Sequence, residues 1–145
     1  MSARYFLDTN VFVYSFDRRS PGKQRRSIDL IHTALSSGEG VISTQVVQEF
    51  LNVATRKFRV PMKAKDARVY LRQVLNPLCQ VFPDLALYES CLEIQKRTKF
   101  SFYDSLILAA GISAGCSRLY SEDLQANREI DGIEITNPYI DLQPS

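Results

Sequence analysis

Several residue types that usually carry enzyme chemistry are scarce in this chain, and each shortage excludes a class of function. There is one histidine, His32. It lies inside a helical pattern with no nucleophile signature nearby, so histidine-centred catalysis has little to work with. The three cysteines, Cys79, Cys91 and Cys116, are odd in number, widely spaced and free of any CxxC pair. That argues against a disulfide framework and a zinc knuckle, and leaves them as small core residues. Glycine and proline occur six times each in 145 residues, too few for a fibrous or low-complexity chain. No apolar run is long enough to cross a bilayer, since polar residues interrupt even Leu106-Ile107-Leu108-Ala109-Ala110 within a few positions. The N-terminus shows no basic segment leading into an apolar stretch and cleavage site, so a cytoplasmic location is expected. No GxSxG elbow, GxxxxGK[ST] loop or GxGxxG fingerprint occurs.

What is present is an ordinary globular composition, 45% hydrophobic and 23% charged, which predicts one domain over residues 1–145 with a real core. The net charge of +2 identifies no partner, but its distribution is uneven. Arg18, Arg19, Lys23, Arg25 and Arg26 crowd one stretch, and Arg56, Lys57, Arg59, Lys63 and Lys65 another, both without an acid. Such clusters suit a polyanion held by its phosphates, or else are solvated loop and helix ends.

Strand-like and helix-like patterns alternate without an internal repeat or linker. Strands are expected at Arg4 to Leu7, Val41-Ile42, Cys79 to Phe82, Arg118 to Tyr120 and Ile133 to Thr136. Helices are expected over Asn10 to Phe16, Gln24 to Leu35, Ser43 or Thr44 to about Phe58, Lys65 to Leu75, Leu85 to Arg97 and Asp104 to Ala114. The last is apolar around most of its circumference and should be buried. This alternation predicts a three-layer α/β/α, Rossmann-like fold around a mainly parallel sheet of four to five strands.

Four acids occupy informative places. Asp8 follows the first strand directly in Leu7-Asp8-Thr9-Asn10, where it can cap the next helix or serve chemistry at a strand end. Glu49 lies at the edge of the helical stripe Val46, Phe50, Val53 and Ala54, where burial penalises a carboxylate that meets no cation or donor. Asp104 fits a capping box with Ser101, the better reading of that residue taken alone. Asp123 follows the strand ending at Tyr120, and Ser121 can cap a helix there. Parallel strands bring their carboxyl ends to one edge, so Asp8 and Asp123 are expected to be neighbours. Hard oxygen ligands gathered there would suit magnesium.

The ordered set Leu7-Asp8-Thr9-Asn10, Glu49 within a helix, Phe102-Tyr103-Asp104-Ser105-Leu106-Ile107 and Ser121-Glu122-Asp123 resembles the PIN-domain nucleases over nearly the whole chain. It looks most like the small VapC-type ribonuclease toxins of toxin-antitoxin pairs. The resemblance implies a PIN-like sheet with an acidic pocket binding Mg²⁺ or Mn²⁺, in which Asp8, Glu49, Asp104 and Asp123 match the family's four acids. Asn10 and Ser121 match its polar supporting positions. It further implies cleavage of single-stranded or loop RNA, a homodimer, and inhibition by a cognate antitoxin. Arg18, Arg19, Lys23, Arg25 and Arg26 are candidate RNA contacts. The alternative is a non-catalytic RNA-binding or interaction module of the same fold. A haloacid-dehalogenase-type phosphohydrolase would want a second acid where Asn10 stands.

Overall fold

The computed structural model describes residues 3–142; positions 1–2 and 143–145 of the expected domain lie outside the described residues. Six strands form one sheet in the order β3-β2-β1-β4-β6-β5. They are β1 (Tyr5–Leu7), β2 (Gly40–Ser43), β3 (Cys79–Val81), β4 (Arg118–Tyr120), β5 (Glu129–Ile130) and β6 (Ile133–Thr136). The first four and β6 are mutually parallel, and β5 is an antiparallel edge paired with β6. The two-residue β5 is one strand more than the sequence pattern predicts. A strand that short leaves no alternation to read.

The helices are α1 (Thr9–Tyr14), α2 (Pro21–Ser37), α3 (Thr44–Arg56), α4 (Ala64–Tyr70), α5 (Asn76–Leu78), α6 (Leu85–Thr98) and α7 (Phe102–Ser113). Pro21, expected to separate two helices, instead opens α2 in its first turn, where a missing N–H loses nothing. A π-helical turn, Leu71–Leu75, joins α4 to α5 and carries the chain past the expected stop near Pro77.

The pleat shows which helices cover which face. Tyr5 pairs with Gly40 and Phe6 with Val41, so Tyr5 and Gly40 point one way and Phe6 and Val41 the other. A side chain at Gly40 would run into Ala34 of α2, whereas one at Gly111 of α7 would meet Phe6 Cβ at 3.5 Å. Hence α2 and α7 lie on opposite faces, the expected three layers. Ser105 to Gly111 are all buried, because α7 is wedged between the sheet and α6. On the α2 side an aromatic cluster fills the space between α1, α3 and α4. Phe50 stacks on Tyr70 at 4.9 Å and meets Phe12 edge-on at 6.3 Å.

The strand order carries a functional consequence. From β1 the chain steps outward to β2 and β3, then returns to place β4 on the other side of β1. The carboxyl ends of β1 and β4 therefore flank the point where the winding reverses, the usual crevice of open α/β sheets.

Candidate active site

Asp8 leaves β1 at that crevice. Its backbone N–H donates to Tyr120 O at 3.0 Å, extending the β1–β4 ladder by one residue. Its side chain is the N-cap of α1, accepting from Thr9 N at 2.7 Å, and its second oxygen accepts from Ser121 Oγ at 2.7 Å. Both roles considered for Asp8 thus coexist. The residue is buried, and burial, reinforced by the charges of Glu49 and Asp123 against two opposing hydrogen bonds, pushes its carboxyl up to about 6.

Ser121 does not cap a helix. Residues 121–127 are irregular, and the hydroxyl accepts from Asp123 N at 3.3 Å and Leu124 N at 3.4 Å while donating to Asp8. The eight residues between β4 and β5 follow bends and a turn, with the Ser121 hydroxyl taking two backbone N–H groups. Asp123 accepts from Asn10 Nδ2 at 2.6 Å, so Asn10 ties the two strand ends together. Burial and the neighbouring Glu122 and Asp104 raise the Asp123 carboxyl, against the Asn10 bond. Glu49 comes from the second turn of α3 and accepts from Thr9 Oγ1 at 2.7 Å. At the mouth of α7, Ser101 Oγ accepts from Asp104 N at 3.1 Å, the forward half of the capping box. The Asp104 carboxylate makes no hydrogen bond among the described residues and stays available.

All four acids line one cavity of about 300 Å³, together with Thr9, Asn10, Gln45, Asn52 and Tyr103. No lysine or arginine is in its wall. Among the described residues, no three acid, histidine or cysteine side chains are already gathered as a metal cage. Thr9 and Asn10 each hold one acid by a hydrogen bond in the meantime. The donor set nevertheless fits a hard divalent cation: carboxylate oxygens without a cationic counterpart, one of them buried.

Gln45, Asn52 and Tyr103 line the pocket although the sequence pattern assigned them no role there. Gln45 stands one helical turn before Glu49 on the same face, a spacing that could have revealed it. Its Nε2 donates to Tyr103 O at 3.2 Å, pinning α3 to α7 across the cavity. Nothing periodic marks Tyr103, which is 64% exposed at the rim.

The first basic cluster is largely engaged within the molecule. Arg19 pairs with Asp17, Lys23 with Glu122 at 2.7 Å, and Arg26 with Asp141 and Pro138 O. Arg18 and Arg25 are exposed and have no ion-pair partner among the described residues. His32 is on an exposed position of α2, apart from the acids. No helix among the described residues is long and apolar enough to cross a membrane.

Known proteins with this architecture carry it further. Solved structures align over nearly the full chain. A toxin-antitoxin complex from Klebsiella pneumoniae matches with TM-score 0.64 and 19% identity, covering 95% of this chain and 98% of that one. DNA-bound VapBC from Salmonella typhimurium gives 0.64 and 20%, covering 94% and 99%. VapC20 of Mycobacterium tuberculosis, described as a sarcin-ricin-loop-cleaving toxin, gives 0.56 and 22%, covering 82% and 89%. No curated protein matches significantly. At such identities these likenesses establish the fold, and the family model for the PIN domain matches residues 5–130. The chain, with its acids gathered at the crossover crevice of a parallel sheet, belongs to the PIN-domain family.

Proposed function

We propose that the protein is a divalent-cation-dependent ribonuclease acting on single-stranded or loop RNA, and the toxin of a toxin-antitoxin pair. One observation carries the nuclease reading: four acids from four separated segments line a single cavity with no basic residue in its wall. Asp8, Glu49, Asp104 and Asp123 would hold Mg²⁺ or Mn²⁺. Such an ion, when bound, polarises the scissile phosphate and makes a coordinated water acidic enough to attack at neutral pH.

The protein's own part is placement. Ser121 and Thr9 N orient Asp8, Thr9 Oγ1 orients Glu49, and Asn10 orients Asp123, so each carboxylate but Asp104 has a fixed neighbour. Tyr103 offers an exposed ring face at the rim, against which an unstacked base packs; duplex bases offer no such face. Arg18 and Arg25 are the cations of the first cluster left to meet phosphates, whereas Arg19, Lys23 and Arg26 serve the fold.

Two apolar surfaces support protein partners. A concavity of about 550 Å³, lined by Phe16, Ile28, Ile31, Leu35, Tyr70 and Val74, shares no residue with the acidic pocket. Its open, apolar lining suits the apolar face of a bound segment, and related folds occur in toxin-antitoxin complexes. The antitoxin is its proposed occupant. Phe82, Leu85, Tyr88 and Leu92 form an exposed stripe beginning just after the β3 edge. Paired with the same stripe of a second copy about a two-fold axis, it would bury itself in a homodimer. A cytoplasmic location accords with this role.

The deciding experiment is incubation of the purified protein with single-stranded RNA in Mg²⁺ and then in EDTA. Cleavage in the first and none in the second supports the reading. RNA binding without divalent-dependent cleavage supports the non-catalytic module instead.

A further inference from the structure

Asp123 is the only one of the four acids carried on backbone that is neither helix nor strand nor adjoining one of their ends within a residue. A side chain so placed depends on ties made by its neighbours. Ser121 provides one such tie and buried Leu124 another. Glu122, between them, provides a third, and its partner is Lys23 of α2.

Lys23 Nζ lies 2.7 Å from Glu122 Oε1 and 3.4 Å from the Tyr14 hydroxyl. It sits 4.8 Å from the Tyr14 ring centre and 5.6 Å from that of Tyr139. The Lys23 and Glu122 side chains are 33% and 25% exposed. The surrounding shell is itself tied: Tyr14 and Tyr139 meet edge-on at 5.2 Å, and the Tyr139 hydroxyl shares a buried 2.6 Å hydrogen bond with Ser27, one turn beyond Lys23. One ammonium thus joins α1, α2, the C-terminal segment and the loop bearing Asp123. Removing it would leave Glu122 as an unpaired carboxylate beside Asp123, and like charges that close push apart.

We propose that Lys23 is a positioning residue for the acidic pocket: by holding Glu122 against α2 it sets where Asp123 presents its carboxylate. This rests on the pocket being the cation-dependent nuclease site. It assigns Lys23 to the geometry of the site, in place of direct contact with RNA phosphates.

The test uses the full chain as wild type, Lys23→Met, Lys23→Arg and the double variant Lys23→Met with Glu122→Gln. Four quantities are measured: Mn²⁺ affinity by electron paramagnetic resonance, binding of a short single-stranded RNA in EDTA by fluorescence anisotropy, and kcat and KM in Mg²⁺. Lys23→Met is expected to weaken Mn²⁺ binding roughly tenfold, the usual scale for losing an outer support of a metal site, and to lower kcat with KM little changed. RNA affinity in EDTA is expected to hold. Lys23→Arg retains Mn²⁺ affinity, and the double variant recovers most of it, because no unpaired carboxylate is left. Wild-type Mn²⁺ affinity and kcat in Lys23→Met overturn the proposal. So does a loss of RNA affinity in EDTA that Glu122→Gln fails to repair, the mark of a phosphate contact. A wild type that binds Mn²⁺ but cleaves nothing sinks the nuclease reading alone, and the Mn²⁺ measurements still decide the role of Lys23. A wild type that binds no Mn²⁺ removes both.

Discussion

Ser121 Oγ donates a buried 2.7 Å hydrogen bond to Asp8 Oδ2 across 113 positions of sequence, joining the carboxyl ends of β1 and β4. That bond opposes the upward push of burial on the Asp8 carboxyl. Ser121→Ala is therefore expected to lower stability by about 1–3 kcal/mol when Asp8 is ionised, the cost of a buried acceptor left unpaired. The loss should be larger near pH 8 than near pH 4, where Asp8 is protonated. Urea unfolding at the two pH values measures it, and an equal loss at both would refute the assignment.

Asp8 itself gives a pH-dependent signature in metal-free protein. Its folded-state value of about 6 lies above the ordinary 3.8. The folded state thus binds the proton more tightly than the unfolded chain. The associated stability is fully present below about pH 4 and is lost as pH rises through about 6. At about 1.36 kcal/mol per unit, the rise corresponds to about 3 kcal/mol. Asp8→Asn should show none of this decline, so relative to wild type it gains stability between about pH 4 and pH 7.5 in EDTA. The same variant is expected to abolish RNA cleavage. Undiminished cleavage by both Asp8→Asn and Asp104→Asn would sink the nuclease assignment.

Divalent cation should stabilise the fold by relieving the crowding of its four acids. At a hundredfold excess over Kd, the gain is about 2.7 kcal/mol. Thermal scans in EDTA and in Mg²⁺ would register it as a higher Tm. Asp104→Asn, which removes the acid that makes no hydrogen bond and one charge of the crowd, should blunt the Mg²⁺ response while leaving the EDTA value equal or higher.

Arg18 and Arg25 should matter to RNA and little to the fold. Replacing both with alanine is expected to flatten the dependence of log affinity on log salt by about 0.7 per cation removed. Arg26→Ala should do the reverse, loosening Pro138 and Asp141 with little effect on RNA binding. Anisotropy titrations across a salt series separate the two outcomes.

Gly40 marks a close approach of α2 to the sheet. A methyl group there would strike Ala34 Cβ and come within 3.0 Å of Ala34 Cα, which is backbone and yields little. Gly40→Ala should therefore destabilise the protein by roughly 1–3 kcal/mol, read as a lower urea midpoint. An unchanged midpoint would show that α2 can shift outward.

Much of the fold is legible in the amino-acid order because its signals are local. The short apolar run before Asp8, the helical stripe through Val46, Phe50 and Ala54, and the all-apolar run after Asp104 each follow from the period of the backbone. The misses have two causes. Pro21 opens a helix as its local chemistry allows, since a proline is at home in the first helical turn as well as in a break. The irregular segment after Ser121 and the short β5 are set by neighbouring chain, beyond local preference.

The acids were candidates from their places at strand and helix ends, a property each residue has within a few neighbours. Their meeting in one cavity was decided by the strand order, which sets β4 beside β1 and brings residues 113 positions apart within hydrogen-bonding distance. The sorting of the basic cluster was decided there too. Lys23 and Arg18 look alike in the sequence, but only Lys23 faces Glu122 and two tyrosine rings. Charge is a property of the residue, while the partner that neutralises it is set by packing between distant segments.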